Sequence, residues 1–187
     1  MTQVIGGTGA EADSSIIPSG RPDPVPEGEL VAIGTHPFPT LVIEVGVSET
    51  VASLHYKAKL YLSNFTDIQV VLCIKIFPPR SANYKFSALA LLYRRSVSTE
   101  TPVQVISFGA VPYDLPMAYA VDQGFGHATG NTMAVNIPPV ANNPLYLIQI
   151  PTAEIYNGDI NGVPNDVEDN VTIDLFNLMI LIDDDWS

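Results

Sequence analysis

Glu44 is the lone charged residue of the apolar run Leu41-Val42-Ile43-Glu44-Val45-Gly46-Val47, and Lys57 and Lys59 follow on a segment of helical spacing. A short run rich in β-branched residues predicts a buried strand. An ionised carboxylate inside such a strand costs several kcal/mol unless a metal ion or a cation compensates it. If a neighbouring strand supplies a second carboxylate, two acids can hold a divalent ion such as Mg²⁺ through oxygen ligands. A metal in that position activates water and offsets charge on a phosphoryl group, and a nearby lysine orients the nucleophile or supports that charge. This is the chemistry of metal-dependent phosphodiester hydrolysis. Two plainer readings compete with it. In one, Glu44 and Lys57 form a strand–helix ion pair with no further role. In the other, Glu44 faces solvent at a sheet edge.

The elements that would position these groups follow from periodicity. The strand covers 40–47. Ser48 is the expected N-cap, with Glu49 in the first turn where the helix dipole favours an anion. Apolar residues at Val51, Leu54, Ala58, Tyr61, Leu62 and Phe65 give a helix whose Lys57 and Tyr61 share a face. Ile68–Phe77, Phe86–Arg94 and Pro102–Phe108 are further strands. The order strand, helix, strand predicts a βαβ-like unit, and the surplus of strands after it predicts an α+β (mixed α/β) class. Residues 1–38, rich in Gly, Pro and Ser, form an extended arm, in which Ser14–Ile17 is a short strand candidate. Residues 39–187 form a single domain with an irregular insertion at 110–144. Tyr146–Ile150 and Ala153–Tyr156 are expected to be extended, 157–170 an acidic loop, and the segment from Asp174 a terminal helix, with a strand as the alternative.

The segment Pro39-Thr40-Leu41-Val42-Ile43-Glu44-Val45-Gly46-Val47-Ser48-Glu49, with Lys57 and Tyr61 on the next helix and a strand after it, resembles the core of the restriction-endonuclease-like PD-(D/E)XK superfamily. It is most similar to the Uma2-like branch and its fungal relatives, in which the lysine has moved to the helix, four residues before an aromatic. The resemblance covers about residues 12–77. It implies a central mixed sheet with one main helix after the Glu44 strand. It makes Asp13, in Ala12-Asp13-Ser14-Ser15-Ile16-Ile17, the first metal ligand and Glu44 the second. Lys57 is then the catalytic lysine, with Lys59 as the substitute, and the implied activity is that of a Mg²⁺-dependent endonuclease. The chain departs from the pattern at Gly46, where the ordinary motif has lysine, and at Ala12, where it has proline. The family's helix and strands ahead of the aspartate have only twelve residues in which to fit, so a shortened front is implied, which either lacks part of the substrate cleft or is completed by another chain. The alternative to a nuclease is a non-catalytic, self-associating structural or interaction protein on the same core.

Composition narrows the remaining classes. The 187 residues, 47% of them apolar, suffice for one real core, and no run reaches the ~18–20 apolar residues that cross a bilayer. The N-terminus has no signal-peptide pattern and Cys73 is the only cysteine, so an intracellular protein (cytoplasmic or nuclear) without disulfides is expected. The net charge of −12 argues against general nucleic-acid affinity. Its distribution is uneven, however. Seven of eight basic residues lie between Lys57 and Arg95, opposed there only by Asp67, and twelve acids but no Lys or Arg follow. That stretch is either a solvated face balanced by acidic loops or a local surface for nucleic acid. The uneven charge and apolar content also fit a homo-oligomer. His36, His55 and His127 have no zinc spacing, and Gly124–Gly130 is not a dinucleotide fingerprint.

Overall fold

Aliphatic runs without a polar face form strands that are covered on both sides. In a computed structural model of the chain, residues 2–5, 8–22, 38–78, 86–109 and 140–186 are described. Strands β1 (Thr2–Ile5) and β2 (Thr8–Glu11) pair as an antiparallel hairpin. The central sheet contains β3 (Ser14–Ile16), β4 (Leu41–Gly46), β5 (Val70–Phe77), β6 (Ser87–Arg94) and β7 (Gln104–Gly109), in that spatial order. Only β4 and β5 run parallel, joined by helix α1 (Val51–Tyr61); the other neighbours are antiparallel. A 3-10 turn (Pro144–Tyr146) leads to β8 (Leu147–Pro151), then helix α2 (Thr152–Ile155), β9 (Asn170–Asp174) and helix α3 (Leu175–Trp186), with β8 and β9 antiparallel. The α+β class and the mixed sheet with one main helix after the Glu44 strand are as the sequence predicts.

Alternation along the strands builds two cores. Val42, Val71, Cys73, Leu89, Leu91 and Tyr93 pack against Val51, Leu54, Ala58 and Tyr61 of α1. Leu41, Val70, Leu72, Ile74, Ala88, Ala90 and Ile106 pack on the opposite face against Ile148, Ile150, Ile155, Leu175 and Met179. The sheet is therefore the middle of three layers.

Several local expectations are corrected. Thr50, not Ser48, caps α1, its side chain accepting from the Ser53 N–H at 3.0 Å. The Gly46–Glu49 turn delays the helix by two residues. Residues 152–155 turn as a helix instead of continuing extended, and a strand and a helix both occur in 170–186. The short strand candidate at Ser14–Ile17 is borne out as an edge strand of the sheet, while two further strands, β1 and β2, precede Asp13. The 110–139 part of the insertion and residues 23–37 of the arm lie outside the described residues, as do His36, His127 and the 124–130 glycines.

Arg95 fastens the α1–β5 connection to the end of β6. Its guanidinium donates to the carbonyls of Ile68 (2.7 Å), Ser63 (3.2 Å) and Thr66 (3.0 Å) and to the Thr66 hydroxyl (3.1 Å). Arg95→Ala is expected to destabilise the fold by about 3 kcal/mol, since it strips acceptors that water reaches poorly, and Arg95→Lys to recover only part of that. Urea denaturation of the two variants checks this; equal stability of Arg95→Ala and the wild type contradicts it.

Candidate functional site

Positions 42, 44 and 46 of β4 face α1, which places the Glu44 side chain in the α1 core beside Cys73, its register partner on β5. Glu44 is 1% exposed, so the solvent-facing alternative is excluded. α1 supplies the compensation from two positions one turn apart. The Lys57 ammonium donates to Glu44 Oε2 at 2.9 Å, and the Tyr61 hydroxyl donates to Oε1 at 2.6 Å. Lys57 also reaches Glu49 Oε1 at 3.0 Å, so it bridges the strand carboxylate and the β4–α1 turn.

Gly46 explains why the lysine comes from the helix. A Cβ at position 46 meets Leu54 Cδ1 at 3.0 Å and Glu49 Cβ at 3.3 Å. A side chain at that position, as in the ordinary Glu-x-Lys spacing, would crowd Leu54 and Glu49, which would have to shift by a few tenths of an ångström; Lys57 reaches the carboxylate from α1 instead.

Asp13 lies next to this pair. Ser14, the first residue of β3, is paired with Ile43, so Asp13 just before it lies beside the Glu44–Val45 end of β4. Its Oδ2 accepts the Val45 N–H at 2.6 Å, and the residue is exposed. The Asp13 charge also acts on the Tyr61 hydroxyl. Glu44, Lys57 and Tyr61 thus form one bonded cluster, with the exposed Asp13 near it at the β3–β4 edge.

The cluster is electrostatically defined. Burial pulls the Lys57 pKa down, but its hydrogen bonds and charge pairing with Glu44 and Glu49 outweigh this and raise it above its ordinary value. Burial, then the Glu44 bond and the charges of Glu44 and Asp13, push Tyr61 well up, so the phenol stays a donor. Because Lys57 binds its proton more tightly in the folded chain, the stability it contributes is fully present below the unfolded lysine pKa of 10.5 and is lost as pH rises through the higher folded value. Melting temperatures from pH 8 to 12 should show the gap between wild type and Lys57→Met narrowing only above about pH 10.5. A gap that narrows already between pH 8 and 9 contradicts this.

Two residues not expected in the site from the sequence complete the surroundings. Glu49 shares the Lys57 ammonium. Lys75, buried on β5 opposite Gly46, donates to the Val47 carbonyl and lies 5.1 Å from the Phe77 ring centroid. Burial lowers its pKa, opposed by the charge of Glu49. Its signal was an internal lysine in an otherwise apolar strand, the same signal that marked Glu44.

The substitute lysine, Lys59, pairs with Glu100 and not with Glu44. The other described cations of the basic stretch also have internal partners: Arg94 holds Glu154 through two bonds of 2.9 and 2.8 Å, and Arg95 and Lys75 hold carbonyls. Arg80 and Lys85 lie outside the described residues. Among the described residues, the stretch expected to face nucleic acid is largely spent within the chain. Cys73 is buried, which pushes its thiol up, and so is no nucleophile. His55 Nδ1 lies 3.0 Å from the Tyr93 hydroxyl, with burial, then Lys59, lowering its pKa.

The donor set can be tested against a metal ion. Each Glu44 oxygen accepts one bond and keeps a lone pair, and the second Asp13 oxygen takes no bond from a described residue. Among the described residues there is no group of three or more His, Cys, Asp or Glu that could hold a metal. A pair of carboxylates is a donor set that would suit Mg²⁺, which keeps waters and uses one or two carboxylates plus substrate phosphate, and would not make a closed protein cage; Glu44 would have to share oxygens that already accept from Lys57 and Tyr61. No helix among the described residues is long and apolar enough to cross a membrane. Comparison with protein-family models, curated proteins and solved structures finds no match to this chain.

Proposed function

We propose that the chain is a nuclease-like domain of the PD-(D/E)XK type, in which Asp13 and Glu44 hold Mg²⁺ and Lys57 serves metal-dependent phosphodiester hydrolysis of nucleic acid. One observation carries the reading: Asp13, just before β3, accepts the N–H of Val45, the residue after Glu44, and a lysine from the following helix is bonded to the buried Glu44 carboxylate. The order β3-β4-α1-β5, with β4 and β5 parallel, is the scaffold the resemblance implies around those residues.

When bound, the metal supplies polarisation of the phosphate and an activated water. The chain's own groups have separate tasks. Tyr61 fixes Glu44 Oε1, and the Val45 N–H fixes Asp13 Oδ2, so both carboxylates are oriented before a ligand arrives. Lys57 is held protonated, so it acts as a donor that orients water and as a positive charge beside the phosphorus. It is not the base that removes the water proton.

A second reading is favoured by the Glu44 bonding itself. Both oxygens already have partners inside the chain, which satisfies a buried carboxylate without any metal. On that reading the domain is a non-catalytic, self-associating interaction protein. Incubation of DNA and RNA with the chain and Mg²⁺ or Mn²⁺, beside Glu44→Ala and Lys57→Ala, separates the two. Metal-dependent cleavage lost in both variants supports the nuclease. No cleavage by the wild type, together with a concentration-dependent mass in solution, supports the interaction protein.

A further inference from the structure

Lys75 is an expensive residue for the chain to keep. It is 6% exposed, in a strand whose other members are Val, Leu, Ile, Cys and Phe. Buried ammonium groups persist when they are paired or bind something. Among the described residues, the Val47 carbonyl accepts a hydrogen bond from Lys75 and the Phe77 ring centroid lies 5.1 Å from its nitrogen, so the ammonium has donors left for water or a ligand. The opposite charge that acts on it, Glu49, is itself bonded to Lys57.

Its position ties it to the site. Glu44 is paired with Cys73 and Gly46 with Lys75 in the parallel β4–β5 register, so Lys75 stands two residues further along, roughly 7 Å, on the same α1-facing side. Gly46 has no side chain to screen it. That is the carboxyl end of two parallel strands, where ligands of open α/β sheets bind. Charge points the same way. Asp13, Glu44 and Glu49 against Lys57 and Lys75 leave one net negative charge. A divalent cation turns this into one net positive charge, which matches one phosphodiester.

We propose that Lys75 is the anion contact of this site, its ammonium taking a non-bridging phosphate oxygen of the substrate while Asp13, Glu44 and Lys57 surround the reacting group. The inference rests on the nuclease reading for its substrate, but the contact itself is testable without catalysis. The competing role is purely structural: Lys75 closes the β4–α1 turn by holding Val47.

The test uses the full chain with Mg²⁺ and inorganic phosphate as probe, titrated calorimetrically into wild type, Lys75→Met and Lys75→Arg, each first checked for a cooperative melt. Losing one charge-assisted bond should weaken phosphate binding about tenfold or more in Lys75→Met, with Lys75→Arg restoring most of it. Equal phosphate affinity in wild type and Lys75→Met, or no phosphate binding by the wild type, overturns the proposal. If Lys75→Met does not fold, Lys75→Arg against the wild type decides: unmeasurable phosphate binding by a folded Lys75→Arg overturns the contact. With an oligonucleotide substrate, the Lys75→Met loss should fall on KM and not on kcat; a fall in kcat alone contradicts it. Phosphate binding that depends on Lys75 without any cleavage supports the anion contact and removes the nuclease reading.

Discussion

Glu44→Ala is expected to lower stability by about 3 kcal/mol and to abolish metal-dependent cleavage. The stability loss has a definite origin. Tyr61 is 1% exposed, and without Glu44 its hydroxyl keeps no acceptor for a bond now 2.6 Å long. Lys57 is less affected, because Glu49 still accepts from it at 3.0 Å. Glu44→Gln separates stability from chemistry. Its amide oxygen can still accept from Tyr61, while its NH₂ faces the Lys57 ammonium, so the stability loss should shrink to about 1–2 kcal/mol. Cleavage should nonetheless remain at least about 100-fold down, because a neutral amide is a poor ligand for a hard cation. Urea denaturation and single-turnover cleavage of both variants check the two halves. Full activity in Glu44→Gln contradicts the metal role.

Asp13→Asn should show the reverse balance. Asp13 is exposed, and an asparagine oxygen can keep the bond from the Val45 N–H, so stability should stay within about 0.5 kcal/mol of wild type. On the proposed nuclease reading, cleavage should fall at least about 100-fold, since one of the two proposed carboxylate ligands would be lost. A loss of activity that tracks a loss of stability would mean that Asp13 only holds the β3–β4 edge together.

The pairing at the heart of the site was legible because it is local. Glu44 and Lys57 are thirteen residues apart on consecutive elements, and a lone carboxylate in an apolar strand forces the question of its partner. Tyr61 was legible for the same reason, being one helical turn from Lys57. Long-range partners were not. The unequal distribution of charge along the chain suggested a basic surface or contact between molecules, yet Lys59–Glu100 and Arg94–Glu154 join its two halves within one chain. Nothing in the local pattern reveals such pairs. Ser48 and Thr50 are both good caps, and the choice between them depends on how far the Gly46–Glu49 turn runs before α1 meets the sheet. The helix at 152–155 follows a strand directly, and Thr152 is held by the backbone of Glu168 and Asp169, residues that local periodicity does not connect to it. The depth of Lys75 escaped notice because a lysine in a strand is ordinarily at an edge, whereas β5 is the centre of the sheet.

Calorimetric titration of Mn²⁺ into the wild-type chain and Asp13→Asn tests the central claim most directly, because it reads the joint carboxylate site without requiring a substrate. One bound ion per chain, lost or weakened at least about tenfold in a folded Asp13→Asn, is the predicted result. No binding by the wild type, or equal binding by both chains, would contradict the account.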